Sequence, residues 1–454
     1  MIVMKFGGSS VADADRILAV AEIVMQRAGR RPLVVVSALG GVTDLLVRAV
    51  DLAAGGDREG LEPVLAELER MHRWAITGSV EDAGRRHHLS LEVDRLIDDL
   101  RRRLRSIRIL GEATPRASDA VLAFGEDLSS RIVAMALADR GADACCVDPR
   151  KLLVTDGRFG AAEPDAELSR EACVATLRPL IERGELPVFG GFVGATRSGE
   201  TTTLGRGGSD TTAAFVGLLI AAEEIQIWTD VDGLMSADPR LVPSARRLAS
   251  VSFAEAAELA CHGAQVLHAD SIAPAVKRRI PVRVLNSLRP ESEGTLILDH
   301  RPERTAAAPV AVASRRGVVL LRIRSRRMRG DSGFLPRVLD SCASNAIRTE
   351  LVSSSRIAVT LAIDQGSDTS ELERTLAGEA DVDRLADRAL LWVVGSAVAE
   401  DAALRRRILE GLSHWDPEVI AAGVSPSSVA AVIVGSRLEA CLRELHRRFF
   451  EEAP

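Results

Sequence analysis

Two patterns of apolar and polar positions divide the chain. Over residues 2–298, short unbroken apolar runs alternate with longer amphipathic stretches. Residues 2–6 form an apolar run that ends in Gly7-Gly8-Ser9-Ser10, and residues 13–28 carry apolar positions at helical spacing. Residues 32–37 form a second buried-type run, broken by Gly40-Gly41. Strand, glycine turn, helix and strand in that order predict a mainly parallel sheet covered by helices. Residues 61–109 are rich in Leu, Arg, Glu and Asp at helical spacing and predict two or three helices against that sheet. Further strands are expected at 144–147, 186–193, 224–229 and 280–285, which gives an α/β domain over 1–298.

The polar, proline-bearing stretch 299–309 predicts a linker. Beyond it, shorter strands and helices follow in the order βαβ-βαβ-αββα: strands at 318–323, 347–352, 357–363, 390–394, 419–422 and 429–434, and helices at 334–343, 370–376, 401–413 and 438–449. Two βαββαβ-like α+β units over 310–454 are the simplest reading, divided near 388/389 or intertwined. The run of arginines from Arg322 to Arg329 reads first as an exposed strand end and second as an anion loop.

Composition narrows the function classes. A net charge of −6 gives no electrostatic footprint for nucleic acid. No apolar run approaches the ~20 residues of a membrane span, and the first residues lack the charged and apolar regions of an export signal. A cytoplasmic protein with reduced, scattered cysteines is expected. Arg86-His87-His88, His262 and His268 have no partners at metal-site spacing, so no metal site is assigned to them and a surface loop is expected at each.

Basic chemistry is almost all arginine; the lysines are Lys5, Lys151 and Lys277. A compact ammonium does what a guanidinium cannot, so Lys5, at the end of the first strand, stands out. The adjoining Gly7-Gly8 lets backbone approach a phosphate, and the helix that follows offers free N–H groups and a positive dipole end. Gly205-Arg206-Gly207-Gly208-Ser209-Asp210 is a second glycine loop opening an apolar helix: Arg206 could clamp a carboxylate, and Asp210 could orient Lys5 or merely cap the helix. Thr229 and Asp230 close a strand, where open α/β sheets bind ligands.

Taken together, eight segments resemble aspartate kinases of the amino-acid kinase superfamily: KFGGSS (5–10), VSALGGVTDLL (36–46), FGEDLSSR (124–131), DGRFGAAEPD (156–165), GGFVG (190–194), TTTLGRGGSDTTAA (201–214), WTDVDGLMSADPR (228–240) and FAEAAELACHGAQVLHADSI (253–272). Residues 310–454 resemble paired ACT regulatory modules. The resemblance implies ATP-dependent phosphorylation of the L-aspartate side-chain carboxylate, the first step of lysine, threonine and methionine biosynthesis, with Mg²⁺ and a homodimer or higher homo-oligomer. It implies that Lys5 and the backbone of Gly7, Gly8 and Ser9 hold the ATP phosphates, and that Asp210 organises Lys5. Aspartate falls to Thr43, Glu126, Phe192, Arg206 and Ser209, with Glu126 on its ammonium and Arg206 on a carboxylate. Thr229, Asp230, Met235, Arg240 and Gln265 fall to the nucleotide. Met235 replaces the family's usual Tyr and Gln265 its usual Lys, which weakens the expected grip on nucleotide. An effector-binding regulatory subunit, or a kinase of another amino diacid, are the competing readings.

For an amino-acid effector, the resemblance points to Met328, Asp331, Gly333, Phe334, Glu350 and Arg356. Arg356 stands where lysine-inhibited relatives carry an acid, and Arg326, Arg327 and Arg329 crowd the same loop. Weak lysine sensitivity, insensitivity, or response to a neutral amino acid such as threonine is expected.

Overall fold

The structure is a computed structural model that describes residues 1–262, 269–300, 309–326 and 333–452. It divides into two compact units: Met1–Leu234 with Ala249–Phe253 and Val266–His300, and Met235–Leu248 with Ala254–Gln265 and Arg301–Pro454.

The first unit is built on an eight-stranded sheet in the order Ala144–Cys146, Leu186–Gly190, Pro32–Val36, Ile2–Phe6, Glu224–Thr229, Val282–Asn286, Thr295–Leu298, Ser250–Ser252. Every pairing is parallel except that of Val282–Asn286 with Thr295–Leu298. Ile2–Phe6 and Pro32–Val36 are buried at every position, as strands covered on both faces must be. Helices Ala14–Met25, Phe124–Asp139 and Gly208–Ile220 pack on the sheet. Residues 61–109 form two long helices, Arg58–Ser79 and Ala83–Leu110, joined by residues 80–82. The side chain of Asp82 accepts the Arg85 N–H and starts the second of them, so Arg86, His87 and His88 lie on a helix and not on the expected loop.

The single strand expected at 186–193 is two, Leu186–Gly190 and Val193–Thr196. Phe192 between them has a left-handed φ of 64°, which turns the chain out of the main sheet. Val193–Thr196 joins Val154–Thr155 and Thr201–Thr203 in a small second sheet.

The second unit carries a six-stranded antiparallel sheet in the order Thr349–Ser354, Ala358–Asp364, Ala311–Ser325, Ala380–Val394, Ser428–Val434, Val419–Ser425. The two central strands are 15 residues each and run through both halves. One end, with helices Phe334–Ser344 and Ser370–Leu376, closes over Val319, Leu321, Leu361 and Ile363. The other end, with helices Ala402–Ser413 and Leu438–His446, closes over Leu391, Val393, Ala431 and Ile433. The first βαββαβ-like half is thus inserted between the opening and closing segments of the second.

The expected strands at 318–323 and 390–394 are the apolar parts of these central strands. Their charged ends hid the rest. Arg324 pairs with Asp383 at 2.9 Å and Arg326 with Asp381 at 2.8 Å across the central pair. Arg322 and Arg388 share Glu418 at 2.6 and 2.5 Å. The arginine run up to Arg326 is therefore a ladder of cross-strand ion pairs.

Met235–Leu248 and Ala254–Gln265, both inside the expected 1–298 domain, belong to the second unit. Ala237 and Val242 enter its core beside Val312 and Ala389, and His446 Nε2 lies 2.8 Å from Ser236 Oγ. His262, expected on a surface loop, stacks on Trp392 with ring centroids 4.0 Å apart and bonds Glu258 at 3.1 Å.

Candidate active site

A cavity of about 710 Å³ opens at the carboxyl ends of the first unit's central strands. Ile2–Phe6 delivers Lys5, and the chain then turns at Gly7, whose N–H donates to the Trp228 carbonyl at 3.1 Å. Gly8 passes close to the next strand's loop: a Cβ there would sit 3.2 Å from the Ala38 carbonyl oxygen. Gly8 lines the cavity and Gly7 does not; a Cβ on Gly7 would stand 3.5 Å from Lys5 Nζ.

Lys5 is only 8% exposed, and its Nζ lies 2.5 Å from Asp210 Oδ1. An ammonium held that deep requires a charged partner, and Asp210 supplies it from the first turn of helix Gly208–Ile220. Gly207, at φ 72°, is the N-cap of that helix, and its first turn, Gly208, Ser209 and Asp210, lines the cavity together with Gly205, Arg206 and Gly207; the Gly208 N–H donates to the Gly205 carbonyl at 3.1 Å. Arg206 is exposed.

Glu126 comes from the first turn of helix Phe124–Asp139 and is 4% exposed. Its Oε1 accepts the Ala38 N–H at 3.1 Å. Burial pushes its carboxyl up to about 8, against the opposing pull of that hydrogen bond and of Lys5. Space for Glu126 depends on Gly190, where a Cβ would come within 2.6 Å of Glu126 Cβ. Thr43 enters from the first turn of helix Val42–Ala54, and Phe192 walls the cavity, its N–H donating to Thr212 Oγ1 at 3.0 Å.

The structure therefore brings Lys5, Gly8, Ser9, Thr43, Glu126, Phe192, Arg206, Ser209 and Asp210 around one cavity. Other expected residues lie elsewhere. Thr229 and Asp230 end the strand beside Lys5's, with Thr229 Oγ1 donating to Asp230 Oδ1 at 3.1 Å. Met235 and Arg240 are in the second unit; the Arg240 guanidinium is exposed and paired with Asp238 at 2.8 Å. Gln265, Met328 and Asp331 lie outside the described residues. Gly333 precedes helix Phe334–Ser344, and Phe334 is buried in one half of the six-stranded sheet's packing. Glu350 meets Arg315 at 2.5 Å and Arg348 at 3.8 Å, while Arg356 is exposed.

Sequence reading missed Asp44 and Gly160, which line the cavity, and Asp119 beneath it. Asp119 is 1% exposed in the middle of helix Pro115–Leu122. The available signal was a lone acid among the apolar residues of the stretch 117–124. Among the described residues no group of three or more His, Cys, Asp or Glu is placed to hold a metal ion.

Residues 1–286 match the sequence model of the Amino acid kinase family. Lysine-sensitive aspartokinase 3 of Escherichia coli (strain K12) is 34% identical, over 99% of this chain and 99% of its own. Aspartokinase 2, chloroplastic, of Arabidopsis thaliana is 31% identical, over 100% of this chain and 85% of its own. Among solved structures, E. coli aspartokinase III in complex with lysine and aspartate, in the T-state, matches with a TM-score of 0.85 at 32% identity, covering 99% of both chains. The same enzyme with aspartate and ADP, in the R-state, matches with a TM-score of 0.80 at 32% identity, covering 99% of this chain and 100% of that one.

Proposed function

This chain belongs to the aspartokinases of the amino acid kinase family, and we propose that its cavity transfers the γ-phosphoryl group of MgATP to the side-chain carboxylate of L-aspartate. One observation carries the reading: a buried Lys5–Asp210 pair, two glycine loops and a buried Glu126 share a single cavity.

An oxygen of the ionised substrate carboxylate attacks the γ-phosphorus while the bond to the β–γ bridging oxygen breaks, so ADP leaves and no proton need move. Many negative charges meet in this step, and catalysis is mainly positioning and charge stabilisation. Lys5 meets the charge on the phosphoryl group in flight, and Asp210 holds its ammonium in place. The N–H groups around Gly8 and Ser9 and at the start of helix Gly208–Ile220 donate to phosphate or carboxylate oxygens. Arg206 takes a substrate carboxylate, Glu126 its ammonium, Thr43 and Ser209 its remaining oxygens, and Phe192 closes the pocket. Mg²⁺ comes with the nucleotide as part of that substrate, neutralising the phosphates. Thr229, Asp230, Met235, Arg240 and Gln265 are assigned to the nucleotide on the family resemblance.

The regulatory sheet is the binding unit for an amino-acid effector, in a cytoplasmic homodimer or larger homo-oligomer. No described helix is long and apolar enough to cross a membrane. A coupled assay of ADP release with aspartate, with glutamate and with no acceptor tests the reading. Turnover only with aspartate supports it. Equal turnover with glutamate assigns another diacid, and none with any acceptor assigns a regulatory subunit.

A further inference from the structure

The strand Thr201–Thr203 runs directly into the loop that carries Arg206, and each of its three hydroxyls is fastened to a different element. Thr201 Oγ1 accepts Arg150 Nε–H at 2.9 Å, and Arg150 is gripped through both oxygens of Asp127, at 3.0 and 2.8 Å. Thr202 Oγ1 lies 2.7 Å from Thr155 Oγ1. Thr203 is held by Asp119: its N–H donates to Oδ2 and its hydroxyl to Oδ1, both at 2.8 Å. Asp119 Oδ2 also accepts the Gly160 N–H at 2.9 Å.

A carboxylate buried in mid-helix is costly unless its oxygens are bonded. Here the donors are two backbone N–H groups and one hydroxyl, none of them a cation. All three donors belong to two residues that line the cavity, Gly160 and Thr203. The chain beyond Thr203 has little freedom. Leu204 N–H donates to the Phe192 carbonyl at 2.9 Å. Gly205, at φ 71°, passes so close to Gly160 that a Cβ would sit 3.1 Å from the Gly160 carbonyl oxygen. Arg206 follows, on a side chain that is itself exposed. Its aim is therefore set by the backbone on which it stands, and one carboxylate fixes that backbone on both sides of the Gly160–Gly205 approach.

We propose that Asp119 is a positioning residue for substrate aspartate: it acts through Thr203 and Gly160 to hold the Arg206 loop at the angle that meets a substrate carboxylate. The inference rests on the reading that Arg206 binds aspartate. Asn in place of Asp119 keeps an oxygen for the two backbone N–H groups, but it removes the charge and turns an NH₂ toward the Thr203 hydroxyl, which must reverse from donor to acceptor. Asp119→Asn should raise the aspartate KM by about tenfold or more, as loss of a charged hydrogen bond does, while the ATP KM moves by less than about twofold. Thr203→Val, which removes only the hydroxyl, should shift the aspartate KM the same way by a smaller factor, and Thr203→Ser should recover it. The double variant Asp119→Asn/Thr203→Val should fall short of the product of the two single effects, since both break one link.

Steady-state kinetics on the full chain, with thermal melts of each variant, test this. An Arg206→Ala variant serves as the reference and should also raise the aspartate KM. If Arg206→Ala raises it and neither Asp119→Asn nor Thr203→Val does, the inference is overturned and the reading of Arg206 stands. If Arg206→Ala leaves it unchanged, both are overturned. Lower melting temperatures with both KM values unchanged would make Asp119 a structural tie only. Should Asp119→Asn fail to fold, the Thr203→Val and Thr203→Ser pair decides by itself: equal aspartate KM values in the two overturn the proposal.

Discussion

At the scale of single residues, the chemistry concentrates on two buried side chains, Lys5 and Glu126. Lys5 is paired with Asp210, so its removal deletes one preorganised contact and also leaves the Asp210 carboxylate without its cation. Lys5→Ala should lower kcat on the order of 10²–10³-fold with a much smaller change in ATP KM, measured by coupled assay beside a circular-dichroism spectrum. Near-normal kcat would remove Lys5 from the phosphoryl site. Glu126 is the reverse case, because burial holds it in the acid form up to about 8. A substrate ammonium favours the carboxylate, so aspartate binding near neutral pH must release a proton. The sign follows: kcat/KM for aspartate rises with pH, approaching tenfold per unit well below about 8, and levels above it. Glu126→Gln should flatten that limb and raise the aspartate KM with little change for ATP. A flat wild-type profile would mean that Glu126 is already ionised in the free site. Lys5 and Asp210 were legible because their loops have recognisable chemistry in a chain nearly devoid of lysine. The state of Glu126 was not, since its burial and its hydrogen bond come from groups distant in sequence, Gly190 packing against it and Ala38 donating to it.

Among elements, the site depends on how closely the end of strand Leu186–Gly190 approaches its neighbours. A Cβ on Gly191 would lie 2.6 Å from Ser209 Cβ and 2.7 Å from Ser209 Cα, so the start of helix Gly208–Ile220 would have to move. Gly191→Ala should cost about 1–3 kcal/mol of stability, as overpacking does, and should raise the aspartate KM by displacing Ser209. Gly157→Ala is the control, because nothing lies within 4 Å of a Cβ there. Denaturant unfolding of both variants decides; equal stabilities would mean that the helix start yields freely. The helices over 61–109 were readable from their period. The break at Phe192 and the full length of Ala380–Val394 were not. In that strand Asp381, Asp383 and Arg388 interrupt the apolar pattern, and they are tolerated because arginines on other strands and Glu418 neutralise or share their charge.

For the whole molecule, the question is what the second unit senses. Glu350, the acid expected to grip a cationic effector, is already engaged by Arg315 and Arg348. A lysine ammonium arriving there meets like charge, a penalty of about 1 kcal/mol or more. Lysine should therefore inhibit aspartyl phosphate formation weakly, only at millimolar levels, and Arg315→Ala should increase the sensitivity by freeing Glu350. Inhibition assays with lysine, threonine and methionine check this; strong inhibition by micromolar lysine would place the effector away from these arginines. The division into units shows the same limit of sequence reading. Residues 235–248 sit within the family match to residues 1–286, yet Ala237 and Val242 pack in the second unit's core. The sequence by itself determined the fold class, the glycine loops and the residues inside them, because turn geometry, hydrophobic period and helix starts are properties of neighbouring residues. Only the tertiary structure decided which loops meet around one cavity, that Asp119 stands beneath Thr203, that Glu126 is held neutral, and that Arg322 finds Glu418. Each of these depends on desolvation or on a partner brought close from far along the chain, which no local pattern encodes.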